Sequence, residues 1–83
     1  MYHTYILESL TTGRLYIGQT NDLDDRLNRH NSNLNRSTKN RGPWKLLFTK
    51  TFETREEAVG LERQSKGFKN PAKVKDWIKR QID

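Results

Sequence analysis

Apolar residues change their spacing several times along this chain, and each change marks a new element. The run Tyr-His-Thr-Tyr-Ile-Leu-Glu from Tyr2 to Glu8 is rich in β-formers and predicts a strand. Ser9 to Gly13 supplies a turn, and Arg14 to Thr20 a second strand, so the first twenty residues form a hairpin. An even number of loop residues puts Tyr5 and Tyr16 on one face of that hairpin, opposite or diagonal to each other. Helical spacing of Leu23, Leu27 and Leu34 then predicts a helix over 22–34, with Asn21 as N-cap and Asp22, Asp24 and Asp25 in the first turn. Arg26 and His30 project from, or beside, its sheet-facing side. A polar, basic loop covers 35–43. Trp44, Leu46, Phe48 and Phe52 alternate along a third strand and are expected on one side of it.

Thr54-Arg-Glu-Glu57 is a capping box and opens a second helix, which ends near Gly67. Its inward stripe is Ala58, Leu61 and Ser65, with Glu62 in the same arc. Asn70 and Pro71 restart a helix as cap and first residue, and Val74, Trp77, Ile78, Gln81 and Ile82 form its packing face. The order β-β-α-β-α-α predicts an α+β fold: a three-stranded antiparallel or mixed sheet flanked by three helices, one domain over 1–83.

Composition narrows the function. Only 31% of the 83 residues are hydrophobic, so the core is thin and rests on a few large side chains. There is no cysteine, which excludes disulfides, zinc fingers, iron–sulfur clusters and thiol chemistry; two histidines exclude a His-rich metal cage. No apolar run approaches the roughly 20 residues that span a bilayer, and no signal peptide is visible, so a cytoplasmic domain without a membrane partner is expected. Sixteen Lys and Arg against ten Asp and Glu give +6, and their distribution matters more than the sum. From Arg26 to Phe52 the chain carries Arg26, Arg29, Arg36, Lys39, Arg41, Lys45 and Lys50 without one acid. A second acid-free window holds Arg63, Lys66, Lys69, Lys73 and Lys75. Such surfaces bind polyanions by releasing counterions, although they also serve simply to solubilise.

Five side chains sit where packing alone does not require them. Glu62 places a carboxylate on a sheet-facing stripe, which costs desolvation unless a cation meets it: Arg26, a nearby Lys, or a hard metal ion held by one carboxylate plus waters and phosphate. Tyr5 and Tyr16 read as core aromatics or as proton acceptors activated by a neighbouring charge. Gly18, on the same face, weakens a strand but lets a backbone or phosphate come close. Arg26 and His30, one turn apart, read as a salt bridge and a hydrogen-bonded core histidine, or as catalytic groups.

Together these positions resemble the GIY-YIG nuclease family. Tyr16-Ile17-Gly18 matches its second motif, eleven residues after the Tyr of a first motif that here reads His3-Thr4-Tyr5, without its Gly and Ile. Leu23-Asp-Asp-Arg26-Leu27-Asn-Arg-His30 is similar to the family's Arg/His helix. Pro43-Trp44-Lys45-Leu46, and Glu57-Ala58 followed by Glu62 and Lys66, resemble the remaining signatures. The likeness is to small bacterial members and, more distantly, to the N-terminal endonuclease domain found in the bacterial ABC excinuclease. Gln19 stands where many members carry Lys.

The resemblance implies a DNA endonuclease that hydrolyses phosphodiesters with one divalent ion, Mg²⁺ or Mn²⁺, held by Glu62, and without a small-molecule cofactor. It implies Tyr5, Tyr16, Arg26, His30 and Glu62 as catalytic residues, with either tyrosine as the base. Gly18, Gln19, Arg36, Lys39, Arg41, Lys45 and Lys66 would meet the substrate, and Asn70 is a candidate polar residue near the metal. A second copy is a candidate partner, since one site cuts one strand at a time. Two other readings remain open: a nucleic-acid-binding module without catalysis, and a docking domain that uses the Trp77 helix.

Overall fold

The computed structural model describes residues 1–31, 43–68 and 70–82, in the order β1 (Tyr2–Ser9), β2 (Leu15–Thr20), α1 (Leu23–Asn31), β3 (Trp44–Phe52), α2 (Arg55–Lys66) and α3 (Pro71–Ile82). The α+β arrangement expected from the sequence is present. The sheet has the order β2-β1-β3, and β1 pairs antiparallel with both neighbours. Gly13 turns the β1–β2 hairpin with φ of 74°, a left-handed conformation that glycine adopts without steric cost. In the hairpin register Tyr5 faces Gly18 and Leu7 faces Tyr16, so the two tyrosines are diagonal neighbours on one face.

The helices cover opposite faces of the sheet. On one face Tyr5, Leu7 and Trp44 are buried with Tyr16, Leu46 and the α1 residues Leu23 and Leu27 around them. On the other, Ile6 packs with Val74 and Ile78 of α3, and Leu15, Ile17, Leu47, Phe48, Phe68 and Trp77 close the layer. The expected single apolar side of β3 is therefore corrected. The β1–β3 register slips between Ile6 and Leu7, pairing them with Phe48 and Leu46 and leaving Leu47 as an extra residue. That bulge reverses the alternation. Trp44 and Leu46 face α1, whereas Phe48 joins the α3 side, and one strand feeds both layers.

Caps fix the helix ends. The α1 cap is Asp22, one residue later than expected: its Oδ1 accepts the Asp25 amide at 3.1 Å. Thr54 Oγ1 accepts the Glu57 amide at 3.3 Å, the N-cap half of the capping box, and donates its hydroxyl to Glu57 Oε1 at 3.0 Å. Asn70 Oδ1 accepts the Ala72 amide at 2.8 Å and starts α3 beside Pro71. On α3, Val74 and Ile78 are buried, but Gln81 is exposed and does not join the packing face. Helix α1 is described to Asn31; its expected continuation to residue 34 falls outside the described residues. No helix among the described residues is long and apolar enough to cross a membrane.

Candidate active site

β2 is an edge strand of the sheet, and both helical layers reach it. From the α1 face come Tyr5, Tyr16, His30 and Trp44, which form one aromatic cluster. Tyr5 and Tyr16 stack with ring centroids 6.2 Å apart; Tyr16 and His30 are 4.7 Å apart, and Trp44 closes on both at 6.4 and 6.5 Å. The Tyr5 hydroxyl lies 3.2 Å from His30 Nε2. Both residues are essentially fully buried, whereas Tyr16 keeps part of its surface.

Gly18 is required by the room its neighbours take, not by its backbone angle. A Cβ at that position would meet the Tyr5 hydroxyl oxygen at 2.7 Å, Tyr5 Cζ at 2.9 Å and Tyr16 Cε1 at 3.2 Å. The third motif residue thus lets two phenols close over a bare stretch of edge strand.

Glu62 approaches from the opposite face. Thr4 Oγ1 donates to the Ala58 carbonyl at 2.6 Å, and Thr4 pairs with Gln19 across the hairpin. Further along α2, Ser65 and Lys66 line a groove with Leu15, Tyr16 and Ile17. Helix α2 therefore runs beside β2, and Glu62, midway between those contacts, stands abreast of the Ile17–Gln19 stretch. Its carboxylate is held by Lys66 Nζ at 2.7 Å, with the Glu62 side chain 19% exposed. The sequence alternative of an Arg26–Glu62 bridge is replaced by this pair one helical turn away. Gln19 Oε1 is buried without a hydrogen-bond partner among the described residues.

Electrostatics ties the two sides together. Burial pushes the Tyr5 phenol well above its ordinary value near 10, Tyr16 and Glu62 push the same way, and Arg26 opposes them. The charges of α1 and α2 therefore act on the same hydroxyl. His30 is held below its usual value, first by burial and then by Arg26, so its imidazole is neutral at neutral pH.

The remaining substrate candidates divide. Lys66 adjoins Glu62, as does the edge carrying Gln19. Lys45 pairs in register with Glu8, on the α3 side of β3, and stands on the other face from the aromatic cluster. Arg36, Lys39 and Arg41 lie outside the described residues. Asn70 spends its side-chain oxygen on the α3 cap. Two residues of the site escape sequence reading. Trp44 reads as plain core, and Asn31 as the next polar helix position. Asn31 Oδ1 accepts the Trp44 amide at 2.7 Å and its Nδ2 donates to the Trp44 carbonyl at 3.4 Å, fixing the indole beside His30.

The model of the GIY-YIG catalytic domain matches residues 1–75. The chain belongs to the GIY-YIG family. Among its relatives, the UPF0213 protein SAG0778 of Streptococcus agalactiae serotype V is 37% identical over 73 residues, covering 87% of this chain and 82% of the relative. UPF0213 protein SSP2268 of Staphylococcus saprophyticus is 32% identical over 75 residues, covering 89% and 90%. The solution NMR structure of UPF0213 protein BH0048 from Bacillus halodurans shares 38% identity with a TM-score of 0.49, over 81% of this chain and 72% of that one. Membership places this GIY-YIG chain in a superfamily of nuclease type.

Proposed function

We propose that this GIY-YIG protein is a metal-dependent DNA endonuclease of the cytoplasm, acting on nicked, branched or otherwise irregular DNA, as repair and recombination require. The observation that supports this reading is the packing of Tyr5, Tyr16 and His30 beside Gly18, with the charges of Arg26 and Glu62 acting on the Tyr5 hydroxyl from the two sides of the sheet.

The donor set fits a hard divalent ion. Glu62 is a lone carboxylate already carrying a cation, Lys66, and the described residues hold no cluster of three or more ligating side chains. One carboxylate completed by waters and substrate phosphate is the usual Mg²⁺ arrangement, with Mn²⁺ as its analogue. When bound, the ion supplies Lewis-acid polarisation of the phosphate and of the leaving oxygen.

The protein's own groups divide the other tasks. Tyr16, half-buried and packed at a tilt against a neutral imidazole, takes the proton of the attacking water at its phenolic oxygen. Tyr5 is not that base: buried, with its phenol raised by its surroundings, it keeps its proton and holds His30 in place. Arg26 presents a planar pair of donors to the non-bridging oxygens, where charge grows in the transition state. Gly18 leaves the space that the Tyr5 and Tyr16 phenols need to close over the edge strand. Lys66, once released from Glu62, neutralises a flanking phosphate, a contact that positions without reading sequence.

The test is nicking of supercoiled plasmid in Mg²⁺ or Mn²⁺ by the wild type, Arg26→Ala and Glu62→Gln. Each variant is expected to lose roughly 10²–10³-fold in rate with its melting curve preserved. Equal cleavage by all three overturns the assignment. Salt-sensitive binding without cleavage in either metal points instead to the nucleic-acid-binding module, a reading that the Lys66 clamp on Glu62 favours.

A further inference from the structure

A groove of about 410 Å³ opens beside the candidate site, between β2 and the corner where α2 gives way to α3. Its volume lies in the range of pockets that take small molecules, roughly 300–1,000 Å³. Leu15, Ile17, Val74 and Pro71 make an apolar floor, Arg14 and Lys66 (the latter paired with Glu62) line it as cations, and no acid is among the described lining residues. The first turn of α3, which faces it through Asn70 and Pro71, also lacks acids. Arg14 is exposed and without an ion pair among the described residues, so its charge is available to an incoming anion. Tyr16 and Lys66 belong to both this groove and the site above, so the two are continuous.

We propose that the groove binds one unpaired nucleotide next to the scissile phosphate, with its base on the Leu15–Ile17–Val74 floor and its phosphate between Arg14 and Lys66. The combination decides the occupant. An apolar floor alone would suit any hydrophobic ligand, and two cations alone any anion. A nucleotide whose base has left the helix offers a flat, weakly polar face and a phosphate joined at a fixed distance. A base held in a duplex is stacked on both sides and cannot lie on this floor. This inference rests on the nuclease reading and sharpens its substrate to DNA with an unpaired or flapped nucleotide at the cut. Peptide ligands are disfavoured, because the described lining residues include no carboxylate to receive an amide or ammonium.

The experiment follows the amide signals of the full chain by NMR while titrating a thymidine tetranucleotide, alongside a tetramer of equal charge with abasic sugars. The thymidine oligomer is expected to shift Leu15, Ile17 and Val74 and to bind about tenfold more tightly than the abasic one, because the base buries apolar surface on the floor while the charge is equal. Arg14→Ala, at an exposed position that keeps the fold, is expected to lower the salt dependence of thymidine binding by nearly one phosphate contact. Equal affinity for the abasic oligomer, or shifts that avoid the groove, overturns the proposal. Plasmid nicking by the same preparation separates the two readings. Cleavage with an unresponsive groove refutes only the nucleotide site, and a responsive groove without cleavage refutes only the nuclease.

Discussion

Replacing Gly18 by alanine tests the site at its tightest point. The strand would tolerate the backbone change, and the loss of glycine's freedom in the unfolded chain would by itself stabilise the fold by about 0.4–1 kcal/mol. Against this, the new methyl meets the Tyr5 hydroxyl at 2.7 Å, well inside ordinary contact at 3.4 Å, and the rigid ring carbon behind it at 2.9 Å. Tyr5 is 1% exposed and cannot swing into solvent, so it must tilt within a packed layer. Overpacking of this kind costs about 1–3 kcal/mol, and pulling the hydroxyl away from His30 adds about 1 kcal/mol. The net expectation is a destabilisation of about 2 kcal/mol, a fall in melting temperature on the order of 10 °C for a chain of this size. Plasmid nicking should drop about 10²-fold, since displacement by an ångström at a reacting centre is enough for that. The cause is isolated in a double-mutant cycle with Tyr5→Phe, which removes the oxygen at 2.7 Å. In that background the alanine should cost about 1 kcal/mol less. A Gly18→Ala protein as stable as wild type, or a cost independent of Tyr5, would refute the close-approach argument.

Three further outcomes are expected. His30 is held below its ordinary value, so folding favours its neutral form; the associated stability is present above about pH 6.5 and is lost as pH falls through the depressed value. Melting temperatures between about pH 7.5 and 5.5 should therefore decline in the wild type and flatten in His30→Gln, with a slope of at most about 1.4 kcal/mol per pH unit. Tyr16→Phe should remove nicking by roughly 10²-fold or more, while Tyr5→Phe changes stability by about 1 kcal/mol and slows the reaction less; the reverse order would move the base to Tyr5. Thr54→Ala should cost about 1 kcal/mol in urea denaturation, because both hydrogen bonds of the cap hydroxyl are lost.

The fold was legible because each local signal agreed with its neighbours: the hairpin with its positive-φ glycine, the capping box, and the Asn-Pro restart of α3. The same parity put Tyr5 and Tyr16 on one face, and the hairpin register then decided for diagonal over opposite. Parity failed on β3, since a bulge inserts Leu47 and no residue there announces it. The partner of Glu62 was legible only as a choice among cations. Lys66 wins because it sits one turn along the same helix, where reach is fixed, whereas Arg26 stands across the sheet. Which tyrosine is sealed and which is open depends on the β1 strand being central and β2 being an edge, a fact of strand order that spacing does not encode. Trp44 and Asn31 were missed as site residues for a related reason: their role arises from a contact thirteen positions apart.

That contact has a wider consequence. By gripping both backbone groups of Trp44, the Asn31 amide staples the end of one helix to the start of the next strand. Whatever the intervening basic segment does, its two anchorage points stay together. Insertions, deletions or exchanges of cations between them are then insulated from the phenols and the imidazole. Descendants of such a scaffold are free to vary the segment while inheriting an unchanged aromatic cluster, so divergence in the one need not erode the other.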